Sequence, residues 1–170
     1  MHPLELFIYC PKCGSVHFVV NNCKSKKCEN CGFVYYFNPS SSVAVFILDK
    51  EERLLVACRA KEPAKGTFDL PGGFVDLYES AEEAIIREVK EETGLEIDNL
   101  EYLFSLPNIY PYSGMNIHTV DLFYQSKITN TVPLYPQDDV EALYWIDKTE
   151  IKPELFGLTS IRKAIEIWLE

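Results

Sequence analysis

Gly73-Phe74-Val75-Asp76-Leu77-Tyr78-Glu79-Ser80-Ala81-Glu82-Glu83-Ala84-Ile85-Ile86-Arg87-Glu88-Val89-Lys90-Glu91-Glu92-Thr93-Gly94-Leu95 runs from a glycine loop into a stretch whose apolar positions recur at helical spacing. Ala81, Ala84, Ile85, Ile86 and Val89 mark the buried stripe. Ser80 with Glu83 forms a capping box at the start, and Gly94 is suited to the left-handed turn that ends a helix. A helix is therefore expected over residues 79–93. It carries Glu79, Glu82, Glu83, Glu88, Glu91 and Glu92, with Arg87 among them. Positions 88, 91 and 92 are spaced i, i+3 and i+4, so three carboxylates leave one helix face within about one turn.

Like charges at that spacing repel by roughly a few tenths of a kcal/mol per exposed pair unless a cation neutralises them. Oxygen-only ligands suit Mg²⁺ or Mn²⁺, which commonly bridge carboxylates to phosphates. The bland alternative is a solvated acidic face stabilised by Glu83–Arg87 and Arg87–Glu91 pairs. The preceding Phe68-Asp69-Leu70-Pro71-Gly72-Gly73-Phe74 favours the cation, because two glycines let backbone groups approach a metal and phosphates without Cβ obstruction.

The 170 residues are 47% hydrophobic and 25% charged, with 10 Tyr and 10 Phe, which excludes a generally disordered chain. A net charge of −10 argues against a broad electrostatic grip on nucleic acid, so phosphate binding would need a cation. The first nine residues hold no basic segment, and the apolar run 6–9 is too short for a signal core or a membrane span. A soluble, cytoplasmic protein with no membrane partner is expected.

Cys10-Pro-Lys-Cys13-Gly and Cys28-Glu-Asn-Cys31-Gly are two CxxC pairs with fourteen residues between them. Two residues between cysteines let both thiolates converge on one ion from a tight turn, and four thiolates at this spacing read as a structural Zn²⁺ ribbon. A closed shell of four leaves no open position for catalysis. Cys23 has no CxxC partner and is read as free, although it could replace Cys28 in some geometries. Strand composition over 16–20 and 33–37 suggests a metal-clipped β unit, too small to fold on burial alone. Residues 1–37 are assigned to this ribbon and 38–170 to the main domain. Lys12, Lys24, Lys26 and Lys27 outnumber Glu5 and Glu29 there. A nucleic-acid contact and an ordinary solvated loop both fit, and the small number of lysines favours the loop.

In the main domain, strands are expected over 43–48 and 54–58 around the charged turn 49–52, then over 101–105, 119–125 and 142–146. A final helix over 159–170 carries Ile161, Ala164, Ile165, Trp168 and Leu169 on one face. Mixed strands and helices give an α/β or α+β class.

Gly73, five residues, Glu79, seven residues, then Arg87-Glu88-Val89-Lys90-Glu91-Glu92-Thr93-Gly94-Leu95 resembles the Nudix box, GX5EX7REUXEEXGU with U a bulky apolar residue, at every fixed position. The resemblance implies an α/β/α sandwich with a mixed sheet, and Mg²⁺-dependent hydrolysis of a nucleoside diphosphate linked to another moiety. It implies Glu88, Glu91 and Glu92 as metal ligands, one of them able to act as base, Gly72 as a backbone carbonyl ligand, and Gly73 beside the substrate. Arg87 resembles the arginine that orients box carboxylates, through Glu79 or Glu91.

A zinc ribbon followed by this domain is similar to the NADH pyrophosphatases, whose SQPWPFPxS motif follows the box. Ser105-Leu106-Pro107-Asn108-Ile109-Tyr110-Pro111-Tyr112-Ser113 keeps both Ser and the outer Pro residues, has Tyr110 for Phe, and lacks the Gln, Trp and middle Pro. Tyr110 and Tyr112 are the expected base-stacking residues, against the reading of a Pro-rich loop with surface tyrosines. Further on, Asp138-Asp139-Val140-Glu141 resembles the segment that supplies one more metal carboxylate, with Asp139 first and Glu141 its rival. The resemblance favours NAD(H) or ADP-ribose as substrate and a homodimer as the assembly. Nucleoside triphosphate or RNA 5′-end hydrolysis and a non-catalytic nucleotide sensor are the alternatives, the last opposed by the complete set of box carboxylates.

Overall fold

The computed structural model describes residues 2–129 and 133–170 and divides into two compact units. The first unit is Met1–Pro39 with Ile109–His118. Its strands β1 (Phe18–Asn22), β2 (Ser25–Cys28) and β3 (Val34–Tyr36) form an antiparallel sheet in chain order. The core is small: Cys10, Phe18 and Cys28, flanked by Phe7, Cys31 and Phe33. β2 escapes a reading by composition, since Ser25-Lys26-Lys27 has no strand propensity. It is held by neighbours on both sides, and Lys26 is buried because its ammonium donates to the Phe7 carbonyl at 2.7 Å and lies 5.3 Å from the Phe18 ring centroid. The 109–118 segment belongs here too, and His118 meets the Phe37 ring edge-on at 6.0 Å.

The second unit is Ser40–Asn108 with Thr119–Glu170. Strand β4 (Ser40–Leu48) runs antiparallel to β5 (Leu54–Arg59), closing the expected hairpin at Leu48 and Leu54. Asp49 fixes that turn by accepting from the amides of Glu51 and Arg53. Two short strands, β6 (Phe68–Asp69) and β7 (Gly72–Phe74), bracket Leu70-Pro71 and pair with β5 and β4. Helix α1 (Ala81–Thr93) starts at a complete Ser80–Glu83 capping box and ends at Gly94 in the left-handed conformation, as the sequence predicts.

Strands β8 (Glu101–Tyr112), β9 (Met115–Lys127) and β10 (Val140–Ile146) complete a mixed seven-stranded sheet of order β10-β5-β4-β9-β8, with β6 and β7 off that path. β4 and β9 pair in parallel. β8 runs far beyond the expected 101–105. Pro107 and Pro111 suggested a loop, but β8 is an outer strand, where a missing N–H can face away from the ladder. Four residues apart, the two proline nitrogens fall on the same side of it.

β4 is buried on both faces. Val43, Val45 and Ile47 pack with Ala84, Ile85 and Val89 of α1, while Ala44, Phe46 and Leu48 pack with Ile161, Ala164 and Ile165 of helix α2 (Thr159–Leu169). That alternation makes the α/β/α sandwich and fixes α1 against the β7 loop. Among the described residues, no helix is long and apolar enough to cross a membrane.

Candidate metal and phosphate site

Three backbone features bring the box loop and helix together. Gly72 and Gly73 lie opposite Ala44 and Val43 in the β4 ladder, so β7 is fixed to the core. The Gly72 amide donates to Glu92 Oε2 at 3.0 Å. A Cβ on Gly73 would come within 2.4 Å of Glu88 Oε1, so the Glu88 carboxylate rests directly on the glycine. Gly72 has φ of 149° and a Cβ there would meet the Val43 carbonyl oxygen at 2.1 Å, so this position needs glycine for two reasons.

Arg87 organises the acidic face. Its Nε and Nη2 donate to the two oxygens of Glu79, both at 2.9 Å, and Nη2 also donates to the Phe74 carbonyl at 3.1 Å. Nη1 reaches Glu88 Oε1 at 2.8 Å and Glu91 Oε2 at 3.2 Å. Arg87 thus touches both carboxylates that the box resemblance offered, Glu79 and Glu91. The Glu83–Arg87 pair is not formed: Glu83 is used in the helix cap. The Glu79 carboxyl is drawn down to about 2 by Arg87 and by the Asp76 amide, and Arg87 is pushed up chiefly by Glu79.

Glu92 and Glu88 behave in the opposite way. Burial pushes the Glu92 carboxyl well above the ordinary glutamate range, against the hydrogen bond from Gly72, and the charges of Asp69, Glu88 and Asp138 add to the rise. Burial also raises Glu88 despite Arg87, with Glu91 and Asp138 contributing. Carboxylates crowded under partial burial with too little positive charge are the electrostatic condition a divalent cation relieves. Glu91, with its side chain 52% exposed, faces solvent.

The segment from which the sequence reading took Asp139, with Glu141 as its rival, also carries Asp138. Lys61 pairs with Asp139 and lies 3.9 Å from Asp138 Oδ1, and the Cys58 thiol is raised by burial and then by the charge of Glu141. Asp138 is the carboxylate felt by both Glu88 and Glu92. It is carried there because the Gln137 amide donates to the Glu92 carbonyl at 3.1 Å and the Tyr135 amide to that of Thr93 at 3.1 Å, tying the segment to the end of α1. Its φ of 52° is costly for a residue other than glycine. The buried Arg59–Asp69 pair, at 2.5 Å, was missed in the sequence. Asp69 is pushed up by burial against the pull of Arg59.

Tyr110 and Tyr112 lie at alternate positions of β8, on the same strand face, Tyr112 being 66% exposed. Both belong to the ribbon unit, whereas the box lies in the other unit.

In the ribbon, the sulfurs of Cys10, Cys13, Cys28 and Cys31 all lie within 4.8 Å of one another. The Cys10–Cys31 and Cys13–Cys28 separations are 3.8 and 3.6 Å. Tetrahedral Zn–S bonds of about 2.3 Å require sulfurs about 3.8 Å apart, so the set fits zinc. Gly14 and Gly32 follow the pairs with φ of 73° and 74°, and their amides donate to the Cys10 and Cys28 carbonyls. Asn30 Nδ2 donates to Cys13 Sγ at 3.7 Å, a hydrogen bond that stabilises a ligating thiolate. Cys23 is exposed and outside the set.

The sandwich, the glycine loop on the acidic helix and a four-cysteine unit able to hold a metal together define the class of the protein. Residues 38–166 match the NUDIX domain family, and the chain belongs to it. A curated relative from Haemophilus influenzae, NAD-capped RNA hydrolase NudC, is 31% identical over 171 residues, covering 99% of this chain and 62% of the relative. The chain thus spans less than two thirds of that relative's length. Among solved structures, a MutT NUDIX hydrolase from Burkholderia pseudomallei superposes with a TM-score of 0.65 at 26% identity, covering 76% of this chain and 97% of the other. The NUDIX domain of Shewanella oneidensis NrtR, complexed with ADP ribose, shares the fold, with a TM-score of 0.62 at 20% identity over 76% of this chain and 85% of the other.

Proposed function

We propose that the protein hydrolyses the pyrophosphate bond of a nucleoside diphosphate linked to another moiety, with Mg²⁺ or Mn²⁺ bound and with NAD(H) or ADP-ribose preferred. The observation that carries this reading is the seating of two box carboxylates on the glycine loop: Glu92 accepts from the Gly72 amide at 3.0 Å, and Glu88 rests where a Cβ on Gly73 would stand. The name of the Haemophilus influenzae relative and the ligand of the NrtR domain support the choice of substrate.

A divalent cation in this site supplies charge neutralisation at the phosphoryl oxygens. Glu88, Glu91 and Glu92 would hold it with the Gly72 carbonyl and one carboxylate of the neighbouring pair Asp138 and Asp139. Gly73, lacking Cβ, leaves the loop open to a phosphate. Arg87 fixes the direction of Glu88 and Glu91 through its Nη1. We assign Glu91 the removal of a proton from the attacking water, since half its side chain is open to solvent. Tyr110 and Tyr112 are assigned to stacking on a base, and Cys10, Cys13, Cys28 and Cys31 to structural zinc. The ribbon (1–37) and the main domain (38–170) are read as separate functional parts, and the assembly as a homodimer in the cytoplasm.

The test is a panel of NADH, NAD, ADP-ribose, diadenosine polyphosphates, GDP-sugars and dNTPs with Mg²⁺ or Mn²⁺. Phosphate is read after phosphatase treatment, and zinc content is measured on the same preparation. Glu91→Gln and Glu92→Gln are expected to fold while losing orders of magnitude in turnover. Near-normal turnover in both at saturating Mg²⁺, or activity confined to dNTPs, would contradict the reading.

A second reading, action at NAD-capped RNA ends, is favoured by the relative's name together with Lys12, Lys24 and Lys27, exposed on the ribbon. A steep loss of affinity with salt would support it, and a shallow slope the small-molecule substrate.

A further inference from the structure

Outside the box, a second acidic position is built into the sheet. Asp121 of β9 is only 6% exposed and, among the described residues, has no ion-pair partner. Ser42 Oγ and Thr119 Oγ1 both donate to its Oδ1, the latter at 2.5 Å. Its Oδ2 receives no hydrogen bond among the described residues. Oδ2 is not among the side-chain atoms buried without a partner, so it opens to solvent while the rest of the side chain is enclosed. Two hydroxyls on a single oxygen hold the group in one orientation and leave the other oxygen to a further donor.

The position of Asp121 in the sheet says where that donor comes from. Asp121 lies opposite Ser42 of β4, and Ser42 lies opposite Phe74 of β7. One row further, Leu122, Val43 and Gly73 line up in the same way. Asp121 is therefore two strand spacings, about 10 Å, from the glycine loop. Phe74 is 42% exposed at the other end of its row. A carboxylate repels phosphate, so the group it receives is a neutral N–H or O–H.

We infer that Asp121, oriented by Ser42 and Thr119, binds a neutral hydrogen-bond donor on the nucleoside part of the substrate, a ribose hydroxyl or a base amine, and so sets nucleoside specificity. The inference rests on the pyrophosphatase reading for its substrate. Asp121 is a binding residue and takes no part in the bond-breaking step. A hydrogen bond from a ligand to an oriented carboxyl oxygen changes affinity by roughly tenfold or more.

The test compares ADP-ribose with its 2′-deoxyadenosine and inosine analogues, on the wild-type protein and on Asp121→Asn, which keeps an acceptor for Ser42 and Thr119. In the wild type, one analogue is expected to raise KM by about tenfold or more with kcat within a few-fold, which separates the hydroxyl from the amine. Asp121→Asn is expected to raise KM for ADP-ribose by a similar factor and to lose the discrimination. Equal KM for all three ligands on the wild type would overturn the inference, as would an unchanged KM in a natively melting Asp121→Asn. If the variant fails to fold, the wild-type series decides alone. If ADP-ribose is not cleaved at all, the pyrophosphatase reading fails, and calorimetric titration of the same three ligands on the wild type and on Asp121→Asn still decides for or against Asp121, by whether the ratio of their Kd values falls toward one in the variant.

Discussion

Arg87 holds Glu79 through two parallel hydrogen bonds of 2.9 Å, joining the turn before α1 to the middle of that helix. The same guanidinium reaches the Phe74 carbonyl, Glu88 and Glu91, so a single planar fork sets the loop and two carboxylates at once. Lysine keeps the charge but not the fork. Arg87→Lys is expected to lower turnover by about tenfold to a hundredfold, the usual cost of losing the support of a metal ligand, with the fold retained. Steady-state kinetics alongside circular dichroism would check this; an Arg87→Lys enzyme of wild-type turnover would contradict the assigned role.

The two ends of the site predict opposite pH effects on stability. Glu79 is depressed to about 2, so its contribution is present above its ordinary value of 4.5 and is lost as pH falls toward 2. Glu92 is raised, so without added divalent cation the folded state binds that proton more tightly than the unfolded chain. Stability from Glu92 is then fullest below the ordinary glutamate value and declines as pH climbs past it toward the raised one. Thermal melts at pH 5 and 8 should show that Mg²⁺ stabilises more at pH 8, and that Glu92→Gln removes the difference. Equal Mg²⁺ shifts at both values in the wild type would be the contrary result.

Gly72 and Gly73 should fail differently when replaced by alanine. At Gly72 the new Cβ meets the Val43 carbonyl, which β4 holds in the core, so the expected outcome is a loss of about 2 kcal/mol or more of stability. At Gly73 it meets the end of the Glu88 side chain, which can move. Gly73→Ala should therefore melt near the wild type but lose turnover, and urea unfolding with kinetics on both variants separates the two effects.

Asp138 and Asp139 adjoin in the chain and share Lys61, but it is the charge of Asp138 that adds to the rise at Glu88 and Glu92. Asp138→Asn should weaken the Mg²⁺ dependence of activity by about tenfold or more, while Asp139→Asn, which loses only an exposed pair with Lys61, should be near neutral. Titrating activity against Mg²⁺ for each variant gives the answer. A stronger effect at Asp139 would restore the reading taken from the sequence.

Much of the site was legible because it is local. Ser80, Glu83 and Gly94 state the limits of α1, and the i, i+3, i+4 positions of Glu88, Glu91 and Glu92 follow from helical geometry alone. The strands of the core were found by composition, with ends off by a few residues. Pro107 and Pro111 misled because edge position in a sheet is invisible to local propensity. β2 was missed because Ser25-Lys26-Lys27 has no strand composition and is held by its neighbours.

The sequence by itself determined the family, the box helix and the four-cysteine set, since each depends on spacing within a turn or two of backbone. Only the tertiary structure decided that Lys61 meets the 138–139 pair, that Arg59 meets Asp69, and that Asp121 is buried with one oxygen already taken. Those depend on contacts between segments distant in the chain. Their energies come from burial and charge at close range, which no one segment carries alone.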